Sequence, residues 1–163
     1  MPNALELNDM LLNLTDNSLA SLLRESYYAY PLVSALHILG ISILIGNILL
    51  LDLRLLGFLR QQALTQLLPL LQRFAGIGLS ITILSGILLF SVQPAQYLGN
   101  KAFLYKMCLL VIALLNIVVA SKLSAWKMML IEGATDLSLK ICGLTSILLW
   151  LGILLAGRWI AFI

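Results

Sequence analysis

The sequence predicts an all-α protein, a bundle of four antiparallel transmembrane helices with an amphipathic segment at its amino terminus. Two observations support this prediction. Of the 163 residues, 61% are hydrophobic and only 10% are charged, whereas a soluble domain averages about 45–50% apolar and about 25% charged residues. The apolar residues also form four long runs, each close to the roughly 20 residues that a helix needs to cross a bilayer. A water-soluble globular domain is thereby excluded.

The charge distribution indicates the lipid bilayer as a partner and excludes nucleic acid. Ten Lys and Arg against seven Asp and Glu give a net charge of only +3, and no basic stripe interleaved with aromatic residues occurs. The first ten residues are acidic and contain no long apolar run, so we expect no cleaved signal peptide. No glycine-rich phosphate loop, HExxH pattern or closely spaced cysteine pair is present, so hydrolase, kinase and zinc-motif chemistry have no support.

The segments follow from reading the chain from one charge to the next. Residues 1–27 are predicted to form one or two interfacial helices, because Asn3 and Glu6 have capping-box spacing and accompany an apolar helical face. Residues 28–163 form the membrane domain. Its spans end at charged residues or at the Gln93-Pro94 break, and they cover approximately residues 31–51, 74–92, 102–121 and 137–157.

The charges between the spans predict the orientation of the protein. Lys and Arg favour the cytoplasmic side of a membrane. Six of them fall on the side of the first and third loops, namely Arg54, Arg60, Arg73, Lys122, Lys127 and Lys140, and four on the other, namely Arg24, Lys101, Lys106 and Arg158. The five tyrosines and Trp159 lie at the opposite ends of the spans from the first and third loops, where an aromatic belt is expected. We therefore predict that both termini lie outside.

Every predicted span carries a stripe of small or polar residues at intervals of three and four. In the first span this face holds His37, Gly40 and Asn47, with Arg54 at its inner end. Small residues let helices approach closely where lipid provides no hydrophobic drive, so we expect the stripes to face the interior of a left-handed bundle. The other stripes include Ala75, Gly78, Thr82 and Ser85 in the second span, Lys106, Leu109, Ala113, Asn116 and Ala120 in the third, and Ser138, Cys142, Thr145, Leu149, Gly152 and Ala156 in the fourth.

Polar residues of the first and third spans occur at matching depths. His37 and Lys106 share an outer layer, and Asn47 and Asn116 each lie ten residues further in, about 15 Å deeper at about 1.5 Å per residue. The two asparagines are predicted to make interhelical contacts or to line a polar path.

Two charged residues follow near the end of the first span. Asp52 and Arg54 are two residues apart, so they do not face each other on a helix. We expect them to be charges at the inner surface that pair with other helices, an interpretation that we prefer to a catalytic role.

His37 is the only histidine, so any site that uses an imidazole must use this residue. Ionisable residues inside a span are functional candidates, because an uncompensated charge at the bilayer centre costs at least about 2.5–3.5 kcal/mol. A neutral imidazole can ligate haem iron or another metal through one nitrogen while the Ser34 hydroxyl, one turn earlier, holds the other. Lys106 and Arg158 are candidates to hold haem propionates, and Met107 is a candidate sixth ligand.

Each of these candidates also has a structural interpretation. His37 can be a bundle histidine or proton relay that bonds the same hydroxyl or a polar group on a neighbouring span. Lys106 and Arg158 can extend their charged ends toward the membrane surface. Met107 lies at nearly the depth of His37, but a methionine at such a position more often fills space in the core.

Several short motifs link the chain to a known family. They are His37-Ile-Leu-Gly40, the stretch Leu-Asp-Leu-Arg-Leu-Leu-Gly over residues 51–57, Phe103-Leu-Tyr-Lys106, Asn116, and Gly157-Arg158-Trp-Ile-Ala161. Over most of its length from Tyr28 onward, the chain resembles an uncharacterised family of small bacterial four-helix inner-membrane proteins. That family is distantly similar to the copper-resistance D proteins and to four-helix membrane b-type cytochromes. The resemblance implies the bacterial inner membrane, so the termini that the charge count places outside are expected to be periplasmic.

The cytochrome resemblance implies one haem b, with electron transfer or redox sensing as the function and the small-residue stripes making room for the ring. Such cytochromes commonly hold haem between histidines on different helices, whereas this chain has one. The haem would then be bound by His37 alone, by His37 and Met107, or across a homodimer. Either a second copy of the chain or a redox partner subunit is the candidate protein partner. Two alternatives remain. In one, a small transport or accessory subunit carries a metal ion or proton past His37, Lys106, Asn47 and Asn116; in the other, a structural subunit has no cofactor.

Overall fold

The computed structural model of the protein describes residues 18–58, 64–132 and 136–162. Within these ranges every regular element is a helix, and four helices are long and apolar enough to cross a membrane. The predicted all-α class is therefore confirmed. In chain order the helices are α1 (Ser18–Glu25), α2 (Ala29–Leu56), α3 (Leu64–Val92), α4 (Pro94–Gly99), α5 (Lys101–Lys122), α6 (Ser124–Glu132) and α7 (Leu137–Trp159).

The four spanning helices are α2, α3, α5 and α7, and they make this a multi-pass membrane protein. The end of the bundle where α2 and α5 begin and α3 and α7 end is called the terminal end below. The opposite end, where α2 and α5 end and α3 and α7 begin, is called the loop end. The predicted capping box and apolar face at the amino terminus lie outside the described residues, and α1 follows them.

The first spanning helix runs well past the predicted end of its span. It continues through Asp52 and Arg54 to Leu56, and Gly57 follows with a left-handed φ of 97°. Its N–H bonds the Arg54 carbonyl. Glycine adopts this conformation without the steric cost that a side chain would impose, so it ends the helix here.

The second spanning helix begins at Leu64 and not near Phe74, so it includes both Pro69 and Arg73. A charged residue can mark the edge of the apolar run without ending the hydrogen-bonded helix, because its side chain can reach toward the membrane surface. The predicted span boundaries therefore located the apolar segments, whereas the helices extend beyond them.

Contacts between the spanning helices fix their register and establish their antiparallel order. In each pair of neighbouring helices, contacts that lie later in one helix lie earlier in the other, as expected for antiparallel packing. The contacts are His37 with Ser85 and Leu44 with Gly78 between α2 and α3, Asp52 with Ser146 and Leu55 with Gly143 between α2 and α7, and Lys106 with Gly157 and Asn116 with Cys142 between α5 and α7.

The closely packed pairs place the spans in the order α3, α2, α7, α5. Helix α2 packs most extensively against α3, α5 packs against α7, and α2 also packs against α7. In the ranges that the structure describes, α3 and α5 are not among the closely packed pairs. Aromatic side chains connect these two at the terminal end, where the Phe90 and Phe103 rings stack with centroids 5.7 Å apart.

Two apolar clusters fill the bundle. The central cluster joins three of the spans, and its buried members are Leu44, Ile45, Ile48, Ala113, Trp150 and Ile153. A smaller cluster at the loop end consists of Leu55, Met129 and Leu139. Since Met129 belongs to α6, this short helix covers the loop end of the α2–α7 interface.

Candidate functional site

In the terminal half of the bundle, His37 makes a specific hydrogen bond to a neighbouring span. Its Nδ1 lies 3.0 Å from the Ser85 hydroxyl oxygen on α3. Ser85 donates its own proton to the Ile81 carbonyl, 2.6 Å away, so Nδ1–H is the donor to Ser85. In the neutral imidazole the lone pair then resides on Nε2. The prediction that Ser34 of the same helix bonds this ring is wrong, because the ring points across the interface to α3.

Glycines bring α2 and α3 close enough for this bond. A Cβ on Gly78 would lie 2.5 Å from the Leu44 backbone nitrogen, and one on Gly40 would lie 2.8 Å from the Thr82 hydroxyl oxygen. A Cβ on Gly86 would lie 3.1 Å from Cε1 of His37. The stripe of the second span therefore faces α2. Its glycines are filled by the neighbouring helix, so the expectation that this stripe makes room for a cofactor ring is wrong.

Lys106 approaches the same layer from α5. Its ammonium group lies 3.6 Å from the position that a Cβ on Gly157 would occupy, so the side chain crosses the surface of α7 where that helix has no side chain. His37 and Lys106 interact electrostatically, in agreement with the predicted shared layer. In the part of the chain described here, the half-buried ammonium has no hydrogen-bond or ion-pair partner. We call His37, Ser85 and Lys106 the terminal site.

Two other predicted site residues do not join the terminal site. Met107 is half-buried and follows Lys106 directly, so the two side chains point about 100° apart around α5. Arg158 is exposed at the end of α7, and its guanidinium carbon lies 5.0 Å above the centre of the Phe162 ring. Among the described residues there is no group of three or more His, Cys, Asp or Glu side chains arranged to bind a metal ion.

The two asparagines differ in their contacts. The Asn116 amide donates to the Cys142 carbonyl on α7 over 3.0 Å, which is an interhelical contact of the predicted kind. The Asn47 amide donates over 2.7 Å to the Ile43 carbonyl of its own helix. The described residues therefore provide no hydrogen bond that would connect the two asparagines in one layer.

Asp52 and Arg54 are buried, so the prediction that they are surface charges is wrong, whereas the predicted pairing with another helix is confirmed for Asp52. Their exposed fractions are 3% and 4%. They are covered because α2 continues beyond them and α6 packs over the loop end. The Asp52 carboxyl group hydrogen-bonds Ser146 on α7, and within the described ranges the Arg54 Nε atom has no partner.

The sequence did not predict the roles of three residues in these sites. Ser85 and Ser146 are the hydrogen-bond partners of His37 and Asp52, and Trp150 is a buried polar group. Trp150 is 1% exposed and its indole N–H has no partner in the described structure. Ser146 and Trp150 lie one turn apart on the buried face of α7 that contacts α2. The predicted stripe of the fourth span faces α5 instead. A helix with two neighbours needs two contact faces, so one stripe per span cannot describe it. The small residues Gly143 and Ser146 form a second series in the sequence, which could have predicted the face toward α2.

The polar residues thus form two separate sites. We call Asp52, Ser146 and Trp150 the loop-end site. Between it and His37 lie 15 residue steps along α2, about 22 Å at about 1.5 Å per residue. The central apolar cluster occupies most of this distance.

Comparison with known proteins identifies one family. The model of a family of unknown function, DUF6644, matches residues 20–163, which include all of both sites. No curated protein and no solved structure gives a significant match. Because the matched region covers most of the chain, the protein belongs to this family of unknown function.

Proposed function

We propose that this protein lies in the bacterial inner membrane with periplasmic termini, and that it binds one b-type haem through His37 for electron transfer or redox sensing. The observation that carries the proposal is the bond between Nδ1 and Ser85. It orients the imidazole and leaves the Nε2 lone pair for a ligand. A distant similarity of the family to copper-resistance D proteins and b-type cytochromes is part of the same proposal.

The chemistry of the terminal site fits an axial-ligand role. A ligating histidine usually donates its second ring N–H to an oxygen, which sets the tautomer and the ring orientation. Ser85 accepts such a bond here because its own proton is committed to the Ile81 carbonyl. Lys106 supplies a positive charge in the same layer, suited to a propionate. Bound haem would supply an iron that exchanges one electron.

The helix packing limits where a planar group could lie. Glycine contacts close the α2–α3 interface beside His37. At this end of the bundle, α3 and α5 are not a closely packed pair and are connected by the stacked Phe90 and Phe103 rings, so we place the cofactor between these two helices, beside the rings. Met107 lies on another face of α5 than Lys106. We therefore propose that His37 is the one axial ligand from this chain, and that a second copy or a redox partner supplies any other.

A continuous polar path for a metal ion or proton is less compatible with the packing. Such a path would have to connect the terminal site to the loop-end site. The apolar cluster around Leu44, Ile48 and Trp150 lies between them, and an ion without polar partners is very costly in such surroundings. This separation favours a local binding site at His37 over a conducting pathway.

The visible spectrum of the protein, purified after expression with ample haem, tests the proposal. We expect a Soret band that His37→Ala abolishes or shifts, with the helical circular dichroism retained. Ser85→Ala should keep the haem but lower its affinity, because Nδ1 loses its hydroxyl acceptor and the ring keeps its hydrogen bond to the Thr82 backbone. Ser80→Ala is the matched control, since Ser80 is an exposed serine of the same helix that bonds only its own Gly76 carbonyl among the described residues. A colourless parent protein, or a spectrum unaffected by His37→Ala, would refute the proposal.

A further pair of variants tests the role of Lys106. Lys106→Gln removes the charge next to His37, whereas Lys101→Gln removes an exposed charge from the first turn of the same helix. We expect weaker haem binding only in the former. Equal affinities would show that Lys106 merely extends to the surface. Two reporters fused after Ile163 test the proposed orientation separately. A reporter that functions only outside the cytoplasm should be active, and one that functions only in the cytoplasm should be inactive.

A further inference from the structure

The loop-end site contains a carboxyl group that is almost completely removed from solvent. Asp52 is 3% exposed, and its partner Ser146 is 4% exposed. The Ser146 hydroxyl bonds one part of the carboxyl group, while the Oδ2 atom has no hydrogen-bond partner in the described structure. One hydroxyl is therefore the only hydrogen-bond partner that the described side chains give this acid.

No positive charge compensates Asp52 among the described residues. Arg54 follows on the same helix but projects in another direction, and it is not among the groups that interact with the carboxyl group. The positively charged residues at this end of α3, α5 and α7 are Arg73, Lys122 and Lys140, and the acidic Asp136 precedes α7. None of these four residues interacts with Asp52. On α6, the residues that reach the loop-end cluster are apolar, namely Met129 and, packed against the cluster, Ala125 and Trp126.

Apolar side chains seal Asp52 on both sides along the bundle. Toward the loop end it is followed by the cluster of Leu55, Met129 and Leu139. Toward the bundle centre it is followed by Ile48 and Trp150, which belong to the central cluster. An ionised carboxylate with a single hydroxyl donor is strongly disfavoured in such surroundings, because one hydroxyl without a counter-charge does not replace the hydration that burial removes.

We propose that Asp52, Ser146 and Trp150 form a proton-binding site, in which the Asp52 carboxyl group is a neutral acid in the resting protein. Binding transfers a proton from hydronium to Asp52, forms one O–H bond and leaves water; no electron is exchanged. The site is independent of the haem proposal, since the central apolar cluster separates it from His37.

Trp150 makes release of the proton feasible. Its indole N–H is a donor without a partner in the described structure, and it lies on the same face of α7 as Ser146, one turn toward the terminal end. Side chains tilt toward the start of their helix. Since α2 and α7 are antiparallel, Asp52 and Trp150 tilt toward each other. When Asp52 loses its proton, a small movement of the indole would supply a second donor to the carboxylate.

Infrared spectroscopy of the purified full-length protein at neutral pH, in a detergent without ester groups, tests the site. We expect the carbonyl stretching band of a protonated carboxylic acid, distinct from the carboxylate bands. Asp52→Asn should remove it. Asp136→Asn is the matched control, because Asp136 is exposed at the start of α7 and bonds the Ser138 hydroxyl, and this variant should keep the band.

A second variant keeps the test decisive if Asp52→Asn fails to fold. Ser146→Ala should leave the band in place but shift its frequency, because the hydrogen bond to the acid is lost. Transfer into heavy water should shift the band slowly in the parent and faster in Met129→Ala, which opens the cover at the loop end. A parent spectrum without any acid band, or a band that survives in a folded Asp52→Asn variant, would overturn the proposal.

Discussion

The two interfaces of α2 are built in different ways. Against α3, the contact depends on missing side chains, since the Cβ positions of Gly40 and Gly78 are already occupied by atoms of the facing helix. Against α7, one glycine also approaches closely, since a Cβ on Gly143 would lie 3.2 Å from the Leu55 Cβ atom, but this interface buries large side chains as well, with Trp150 and Leu139 fully buried. One helix therefore packs mainly by close backbone approach on one side and adds side-chain volume on the other.

This difference also explains how the two polar sites are satisfied. Close approach of α2 and α3 brings the short Ser85 side chain within 3.0 Å of His37, and both partners are hydrogen-bonded. At the α2–α7 interface the bulky side chains fill the space, and the described structure leaves Asp52 Oδ2 and Trp150 Nε1 without partners. The close α2–α3 contact thus brings His37 and Ser85 into hydrogen-bond distance, whereas at the α2–α7 interface the Ser146 hydroxyl satisfies only part of the Asp52 carboxyl group.

The largest expected effect comes from removing volume at the α2–α7 interface. Trp150→Ala should destabilise the folded protein by about 3–5 kcal/mol, because it leaves a cavity in the central cluster. Trp150→Phe keeps most of the volume and removes an N–H without a partner in the described residues, so it should cost much less. Unfolding in detergent micelles measures both. Equal losses in the two variants would mean that the N–H, and not the volume, matters at this interface.

Adding volume at the α2–α3 interface should have the next largest effect. Gly78→Ala forces a methyl group against the Leu44 backbone, and such overpacking costs about 1–3 kcal/mol. Gly76→Ala, in the same helix, meets nothing within 4 Å. It should be neutral or stabilise the helix by about 0.5–1 kcal/mol. The unfolding midpoint should therefore fall in Gly78→Ala and stay the same or rise in Gly76→Ala. Equal shifts in the two variants would show that Gly78 of α3 is not in close contact with α2.

The smallest effect concerns the terminal end of the α2–α3 pair, where Tyr97 of α4 bonds Tyr30 of α2. Burial first, and then this hydrogen bond, raise the pKa of Tyr97 from 10.0 to about 12. The folded protein thus holds the proton more tightly than the unfolded chain, so the resulting stability is complete below pH 10 and is lost as the pH rises toward 12.

Ultraviolet titration of the phenolate absorbance measures this directly. We expect a late ionisation that Tyr97→Phe removes together with part of the alkaline loss of stability. Tyr27→Phe changes a tyrosine at the same end that is 86% exposed, and it should keep the late transition. If the late transition persists in Tyr97→Phe, it belongs to another tyrosine, and the burial of the Tyr97 hydroxyl is not what raises the pKa.

Much of the architecture could be predicted from local patterns. The apolar runs give the four spans, and the spacing of Gly78, Thr82 and Ser85 gives the face of α3 that meets α2, because small residues at one helical face permit close approach. The matching depth of His37 and Lys106 follows from the rise of a straight helix. Helix ends were less predictable, since the hydrogen-bonded helix continues through Arg73 and Asp52.

The site itself could be predicted only in part. His37 and Asp52 stand out because an ionisable side chain is costly within a span, and this property is visible in the sequence. Their partners are not visible in this way. Ser85 and Ser146 are ordinary small residues among many, and they become partners only when the helix order and register bring them to these side chains.

By itself, the sequence determined the membrane environment, the number of spans and the residues that would need a polar partner, since these depend on composition and on helical periodicity within one segment. The tertiary structure decided which helices are neighbours, and therefore that α7 faces α2 with a second stripe and that α6 packs over Leu55 and Leu139 at the loop end. The reason is physical. Lipid is as apolar as most side chains of the spans, so hydrophobicity places helices in the membrane but does not choose their partners. That choice depends on shape and hydrogen bonding across interfaces that join distant parts of the chain.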